Sequence, residues 1–177
     1  MNNEELQNII NSWFPDSISN AVITETSDET ESVQPISSNG LEFTEEDSQF
    51  LNVTVQPEHF HKLMSQLKSN SETNFDYLFC LSGVDWGTEL GVVYHLESTT
   101  HRHIIVVKVK TDDRENPAFE SVCDIWATAE FHEREVYDFF GIIFNNHPNL
   151  KRLFLTDEWE GFPLRKDYVD EINMVIK

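Results

Sequence analysis

The chain has little cysteine. Its 177 residues include 2 cysteines, Cys80 and Cys123, and each has apolar neighbours. An iron–sulfur cluster generally takes four protein thiolates, so these two cannot hold one on their own. We expect two free, buried thiols, because a free cysteine packs like a small apolar side chain. We expect no disulfide, because the cytoplasm is reducing.

Positive charge is also scarce. The sequence has 12 Lys and Arg against 32 Asp and Glu, a net charge of −20, and residues 1–61 contain no Lys or Arg at all. Nucleic acids and anionic lipid surfaces both bind through basic patches. Direct binding to either class of partner is therefore excluded as the main function. Residues 131–177 are the least acidic stretch, with six basic against nine acidic side chains.

Long apolar runs and a secretion leader are missing. No stretch approaches the ~20 apolar residues that a membrane-spanning helix needs. The N-terminal residues Met1-Asn2-Asn3-Glu4-Glu5 lack the basic start and apolar core of a signal peptide. These features predict a protein that is made and kept in the cytoplasm.

The motifs that carry chemistry are absent as well. No G-x-G-x-x-G follows a predicted strand, and no Ser or Cys nucleophile stands beside a base. His132-Glu133 begins like the zinc-protease motif, but Val136 occupies the position of its second histidine. We therefore predict no catalytic residue, no bound cofactor and no metal site in this chain.

What the sequence does contain is the pattern of an α+β domain. Apolar spacing predicts helices over 3–14, 57–68, 119–128 and 131–140, and strands over 18–24, 50–55, 77–86, 92–98 and 103–109. This order fits a two-layer domain, residues 1–140, with a mixed, mostly antiparallel sheet and packing helices. Residues 27–39 are polar and acidic, which predicts a flexible loop within it.

The predicted helix 131–140 has two faces. His132, Val136, Phe139 and Phe140 fall on one side. Arg134, Glu135 and Asp138 fall on the other, where they are expected to form solvated surface ion pairs of roughly 0.3–0.5 kcal/mol each. Gly141 suits the left-handed cap that commonly ends a helix.

Residues 141–177 have little periodicity, yet they are too apolar for a free tail. His147-Pro148 and Phe162-Pro163 favour extended backbone before each proline. A long irregular segment of this kind is usually functional. We interpret it as an extended C-terminal arm that docks on a partner subunit.

Four blocks in this region resemble the signature of a known family. They are Glu133-Arg134-Glu135, Asp138-Phe139-Phe140-Gly141, His147-Pro148-Asn149-Leu150-Lys151-Arg152, and the run from Trp159 to Tyr168. Their sequence and spacing resemble the C subunit of the proton-pumping NADH-quinone oxidoreductase, respiratory complex I. Phe131 and Val169 depart from it, since the family tends to have Trp and Pro at those positions.

The resemblance implies a non-catalytic assembly subunit of the hydrophilic arm, with no cofactor of its own. Such a subunit packs against the large hydrogenase-like subunit that forms the quinone chamber, near the iron–sulfur subunits. FMN and the clusters sit on those other subunits, and the complex couples electron transfer from NADH to quinone to proton translocation. The expected location is peripheral, on the cytoplasmic side of the membrane.

The resemblance also implies which residues contact partners. These partner-interface positions are Glu133, Arg134, Glu135, Asp138, His147, Lys151, Arg152, Trp159, Arg165, Lys166 and Asp167.

Two alternatives stay open. The first is the equivalent subunit of a ferredoxin- or F420-linked complex or of an energy-converting hydrogenase. The second, from another class, is a stand-alone enzyme that binds a metal through His132, Glu133 and His147, which elemental analysis would reveal.

Overall fold

The structure is a computed structural model that describes residues 2–14, 40–44 and 50–170. The strand predicted over 18–24 and the acidic loop predicted over 27–39 lie outside these residues. Among the described helices, none has both the length and the apolar character needed to cross a lipid bilayer.

Two helices begin where the sequence predicts and end within one residue of the predicted position. Helix α1 spans Asn3–Trp13 and starts with a capping box, in which Asn2 and Glu5 each bond the other's backbone N–H. Helix α2 spans Pro57–Ser69, with proline in its first turn. Both helices place an apolar stripe against the sheet.

The main sheet has five strands. They are β1 (Leu41–Thr44), β2 (Leu51–Val55), β3 (Tyr77–Asp85), β4 (Leu90–Ser98) and β5 (His103–Thr111), in the order β1-β2-β5-β4-β3. The β2–β5 pair is parallel and the other pairs are antiparallel. The predicted mixed, mostly antiparallel α+β fold is therefore confirmed.

The core lies between one face of this sheet and the helices. Alternate residues of β2, β4 and β5 point into it, as the period of a strand requires. Tyr94 on β4 packs its ring 5.0 Å from that of Phe60 on α2, and neither side chain is exposed. Leu6 and Ile10 of α1 close the same apolar layer.

The prediction of a helix over residues 119–128 is wrong. The structure has a short strand β6 (Ala118–Glu120) followed by turns, and β6 pairs in parallel with β7 (Ile143–Asn145). The amide of Val122 donates to the buried carboxylate of Glu133 at 2.8 Å. This amide therefore has a partner outside the local backbone, and the chain turns at Val122 without forming a helix.

Helix α3 (Ala129–Phe140) lies against β3 at the edge of the sheet. A Cβ at Gly83 would lie 2.5 Å from the ring of Phe140, so this strand needs glycine for the helix to approach. Gly141 ends α3 with φ +69°, the left-handed conformation that the sequence predicts.

Candidate functional site

Most of the predicted partner-interface residues contact the C-terminal segment, defined here as residues 146–170, or belong to it. The structure brings this segment back onto its own domain. Two buried aspartates hold it there, and we name these sites the Asp138 anchor and the Asp85 anchor.

The Asp138 anchor is built on the last turns of α3. The Asp138 side chain is fully buried, and its Oδ2 accepts three successive backbone N–H groups, from Leu153, Phe154 and Leu155, at 3.0, 2.7 and 3.0 Å. The Oδ1 accepts from the Arg152 guanidinium at 3.0 Å. One carboxylate thereby fixes four consecutive residues of the C-terminal segment.

Two arginines complete this anchor. Arg152 also donates to the carbonyls of Trp159 and Gly161, which closes the segment into a loop. Arg134 donates from Nε to the carbonyl of Lys151 at 3.1 Å and from Nη2 to that of Arg152 at 3.0 Å. The expectation of solvated surface pairs on this helix face is wrong, because Arg134 is only 8% exposed and Asp138 is not exposed at all.

The Asp85 anchor lies at the end of β3. The Arg114 guanidinium binds both carboxylate oxygens of Asp85, at 2.8 and 2.9 Å. The backbone N–H groups of Gly87 and Lys166 donate to the same carboxylate. Arg114 also binds Asp167 at 2.9 Å, so two residues of the C-terminal segment are held here.

Arg165 and Phe162 link the two anchors. Arg165 donates to the carbonyls of Phe140 and Arg114. The Phe162 ring lies against Gly141. The guanidinium groups of Arg152 and Arg165 lie 5.4 and 5.1 Å from the centre of this ring. These two cation–π contacts attract the guanidinium groups to the ring, in addition to the effect of burying the ring.

A third buried cluster surrounds Glu133. Its carboxylate accepts from the Ser121 hydroxyl at 2.6 Å, the Val122 amide at 2.8 Å and the Cys123 thiol at 3.3 Å. His147 Nε2 lies 4.0 Å away and donates to the carbonyl of Glu130. This assigns the tautomer, because His147 Nδ1 accepts the amide of Asn149.

The ligand atoms of Cys123, Glu133 and His147 all lie within 4.8 Å of one another. Thiolate, carboxylate and imidazole together are a donor set that zinc accepts. Each of these atoms, however, already has a hydrogen-bond partner, and burial raises the pKa of the Cys123 thiol to about 12. Cys123, like Cys80, is a free thiol as the sequence predicts, but both are half-buried rather than fully buried. The geometry is that of a structural hydrogen-bond network between α3 and the loops on either side of it.

This cluster bears on the metal-enzyme alternative. The structure places Glu133 and His147 together, but their neighbour is Cys123 and not His132, the third ligand that the sequence suggested. Cys123 belongs to no recognisable sequence motif, so only the fold shows that it lies beside Glu133 and His147. The absence of a bound metal stays a prediction for elemental analysis.

The electrostatics differ between the three carboxyl groups. Hydrogen bonds from Arg114 hold the pKa of Asp85 well below its ordinary value, helped by the Lys166 and Gly87 amides and opposed by burial. For Asp138, burial alone would raise the pKa, but the three amides and Arg152 outweigh it and lower the pKa. Burial raises the pKa of Glu133, against the hydrogen bonds of Ser121 and Val122.

These directions predict how stability depends on pH. A carboxylate with a lowered folded pKa contributes stability above its unfolded pKa and loses it as the pH falls through the folded pKa. We therefore expect Asp85→Asn to destabilise the chain near neutral pH, with a difference from the parent that shrinks between about pH 5 and pH 2. Glu133 has a raised pKa in the folded chain, so its effect on how stability changes with pH has the opposite sign. This effect is present in both the parent and the Asp85→Asn variant.

The measurement is a urea unfolding series across this pH range on the parent and the variant. The large negative charge changes the stability of both proteins with pH, and comparing their difference removes that common effect. Asp112→Asn, at an exposed position, is the control. If the stability difference between Asp85→Asn and the parent stays constant with pH, the stabilisation by Asp85 does not depend on its charge.

The remaining predicted interface positions keep their side chains outward. Glu135, Lys151, Trp159 and Lys166 are all exposed, and no ion pair holds the three charged ones among the described residues. Apolar side chains lie exposed near them, with Phe154 at 63% and Leu164 at 55%. Sequence analysis does not identify Asp85 or Arg114 as site residues. The one signal in the sequence is an aspartate, Asp85, at the end of an apolar strand.

Comparisons with known proteins identify the family. Residues 53–172 match the family described as the respiratory-chain NADH dehydrogenase 30 kDa subunit. A C/D subunit of NADH-quinone oxidoreductase from Phocaeicola vulgatus is 51% identical over 68% of this chain and 23% of the relative. The C subunit from Chloroherpeton thalassium is 47% identical over 63% of this chain and 47% of the relative.

Coverage of these relatives is partial. The chain spans about a quarter and about half of the length of the two relatives just described. The C subunit from Acidothermus cellulolyticus is 42% identical over 72% of this chain and 68% of the relative.

A solved structure supports the fold. A chain of the membrane-bound sulfane sulfur reductase, an archaeal respiratory membrane complex, superposes with a TM-score of 0.69 over 96% of this chain and 86% of that chain. At 24% identity this likeness shows the fold alone. The family match covers most of the chain, including both aspartate anchors, and the chain therefore belongs to the 30 kDa subunit family of the respiratory-chain NADH dehydrogenase.

Proposed function

We propose that the chain is a non-catalytic assembly subunit of an NADH-quinone oxidoreductase. In this role it packs against the large hydrogenase-like subunit that forms the quinone chamber, beside the iron–sulfur subunits. It binds no cofactor, since FMN and the iron–sulfur clusters belong to other subunits. Its place is peripheral, on the cytoplasmic side of the membrane.

One observation carries this proposal. The two anchors order the C-terminal segment on its own domain, and that segment still leaves Phe154 and Leu164 more than half exposed. Ordering a chain costs conformational entropy, and large apolar side chains that stay mostly exposed offset little of this cost in the isolated chain. A pre-ordered apolar surface of this kind is typical of a protein–protein interface.

The relatives support the identity of the partner. Several are named as C/D subunits of NADH-quinone oxidoreductase, and the region similar to this chain is 23% of their length. A C-like domain and a D-like region thus occur in one polypeptide there. We infer that the D-like protein, which corresponds to the large quinone-chamber subunit, is the partner of this chain in its own complex.

The test is affinity purification of the tagged chain from its own membranes in mild detergent. We expect the D-like subunit to co-elute in stoichiometric amount, together with quinone reductase activity supported by NADH. Elution of the tagged chain without the D-like subunit would contradict the proposal. Activity with reduced ferredoxin or F420 but not with NADH would favour the alternative complexes.

Elemental analysis of the chain produced and purified without the other subunits addresses the metal-enzyme alternative. The Cys123, Glu133 and His147 cluster is the observation that keeps this alternative testable. Zinc or iron that survives dialysis at one equivalent per chain would favour it over an assembly role.

A further inference from the structure

A narrow groove separates α3 from β3. It is lined by Leu81, Ser82, Gly83, Glu135, Val136, Phe139, Phe140 and Leu164 and has a volume of about 190 Å³. The backbone amide of Leu164 donates to the carbonyl of Phe139 at 3.1 Å, which fixes the C-terminal segment at the edge of the groove. The segment therefore supplies one side of this site, which we name the α3–β3 groove.

The size of the groove decides which kind of occupant fits. Pockets for cofactors and drug-sized ligands are usually about 300–1,000 Å³. The groove volume of about 190 Å³ lies below this range. A small groove of this kind suits one large apolar side chain, the usual anchor at the centre of a protein interface.

The apolar surface continues beyond the groove. The ring of Phe139 stacks on that of Phe154 with centroids 5.6 Å apart and planes 13° apart. Phe154 is 63% exposed and Leu164 is 55% exposed. Exposed apolar surface therefore lies in the groove wall and beside it, and a partner that entered the groove would cover these side chains as well.

Charge at the rim specifies the partner further. Glu135 is exposed, lines the groove and forms no ion pair or hydrogen bond with any described residue. A partner that buried the rim without a matching cation would leave this carboxylate unpaired, which is costly. The complementary surface therefore presents a basic side chain next to its apolar one.

We propose that the α3–β3 groove receives a large apolar side chain, flanked by an Arg or Lys, from the D-like subunit. This inference rests on the proposed function and adds the contact through which assembly occurs. The joined C/D relatives favour this occupant over others, since they place a D-like region and this domain in the same molecule.

The experiment compares matched variants of the tagged chain in its own cells. Leu164→Glu changes the groove, and Val169→Glu changes an equally exposed residue of the same segment outside it. We expect Leu164→Glu to lower the co-purified D-like subunit by at least about tenfold. We expect Val169→Glu to match the parent, and all three isolated chains to unfold at the same urea concentration.

A second pair tests the charge. Glu135→Lys reverses the rim carboxylate, and Glu158→Lys reverses an exposed carboxylate outside the groove. We expect only Glu135→Lys to weaken assembly. A photo-crosslinking amino acid at position 164 then identifies the occupant, and the expected adduct is with the D-like subunit.

The outcomes separate this inference from the proposed function. If the parent chain fails to retain the D-like subunit, the proposed function is wrong. If the parent retains it and Leu164→Glu retains it equally well, the groove is not the contact. A crosslink from position 164 to a second copy of this chain, or to another subunit, overturns the groove assignment while the assembly role stands.

Discussion

Replacing Asp138 by alanine is expected to destabilise the isolated chain by about 3–5 kcal/mol. The Asp138 carboxylate is fully buried and accepts three backbone amides and the Arg152 guanidinium. Removing it leaves an uncompensated cation and three amides without their acceptor, and burial of such groups is what makes the loss large. Asp138→Asn keeps one acceptor oxygen and should lose less.

Two measurements check this prediction. Urea unfolding gives the change in free energy, with Asp157→Ala at an exposed position as the control. Trypsin digestion reports on the C-terminal segment, because the exposed residues Lys151 and Lys166 offer cleavage sites within it. We expect rapid cleavage there in Asp138→Ala and slow cleavage in the parent. A variant as stable and as resistant as the parent would show that the anchor does not hold the segment.

Replacing Arg134 by alanine is expected to cost the isolated chain about 2–6 kcal/mol, because two carbonyls lose their donors at about 1–3 kcal/mol each. The guanidinium is 8% exposed and donates to the carbonyls of Lys151 and Arg152. Sequence analysis treats this residue as a surface charge and predicts a loss under about 1 kcal/mol. Lysine cannot reproduce the forked contact, so Arg134→Lys should fall between alanine and the parent.

The decisive measurement compares folding with assembly. Urea unfolding of the isolated variant is paired with the amount of assembled complex on a native gel. The control is Arg102→Ala, at an exposed position outside the predicted interface. We expect Arg134→Ala to lower both, with the loss of assembly following from the loss of the ordered segment. Unchanged unfolding with failed assembly would instead place Arg134 at the partner interface, as the family resemblance implies.

Local patterns were sufficient for most of the fold. The strands β2 to β5 and the helices α1 and α2 were predicted because their apolar period and caps are properties of neighbouring residues. Strand β1 and the pair β6–β7 were missed, since four or three residues carry too little period to detect. Strand β1 is held by the next strand, β2, whereas β6 and β7 pair across a long stretch of intervening chain.

The site could be predicted only in part, for a different reason. The family resemblance marks Arg134, Asp138 and Arg152 as partner-interface residues. The helical period, however, assigns Arg134 and Asp138 to a face exposed to solvent. Their partners lie 14 to 18 residues further along the chain and come back only through the tertiary fold. Helical period describes which face a residue is on and contains no information about what later covers that face. The role of these positions at a partner interface stays a prediction.

The Asp85 carboxylate joins three stretches that are distant in sequence, through Gly87, Arg114 and Lys166. Substitutions that act through one shared contact do not add their effects. Loss of Asp85 and loss of Arg114 remove the same bidentate pair, so the double variant should be more stable than the sum of the single losses implies. In evolutionary terms the two positions are epistatic: a lineage that has lost one of them meets a smaller barrier to losing the other, and regaining either alone restores little.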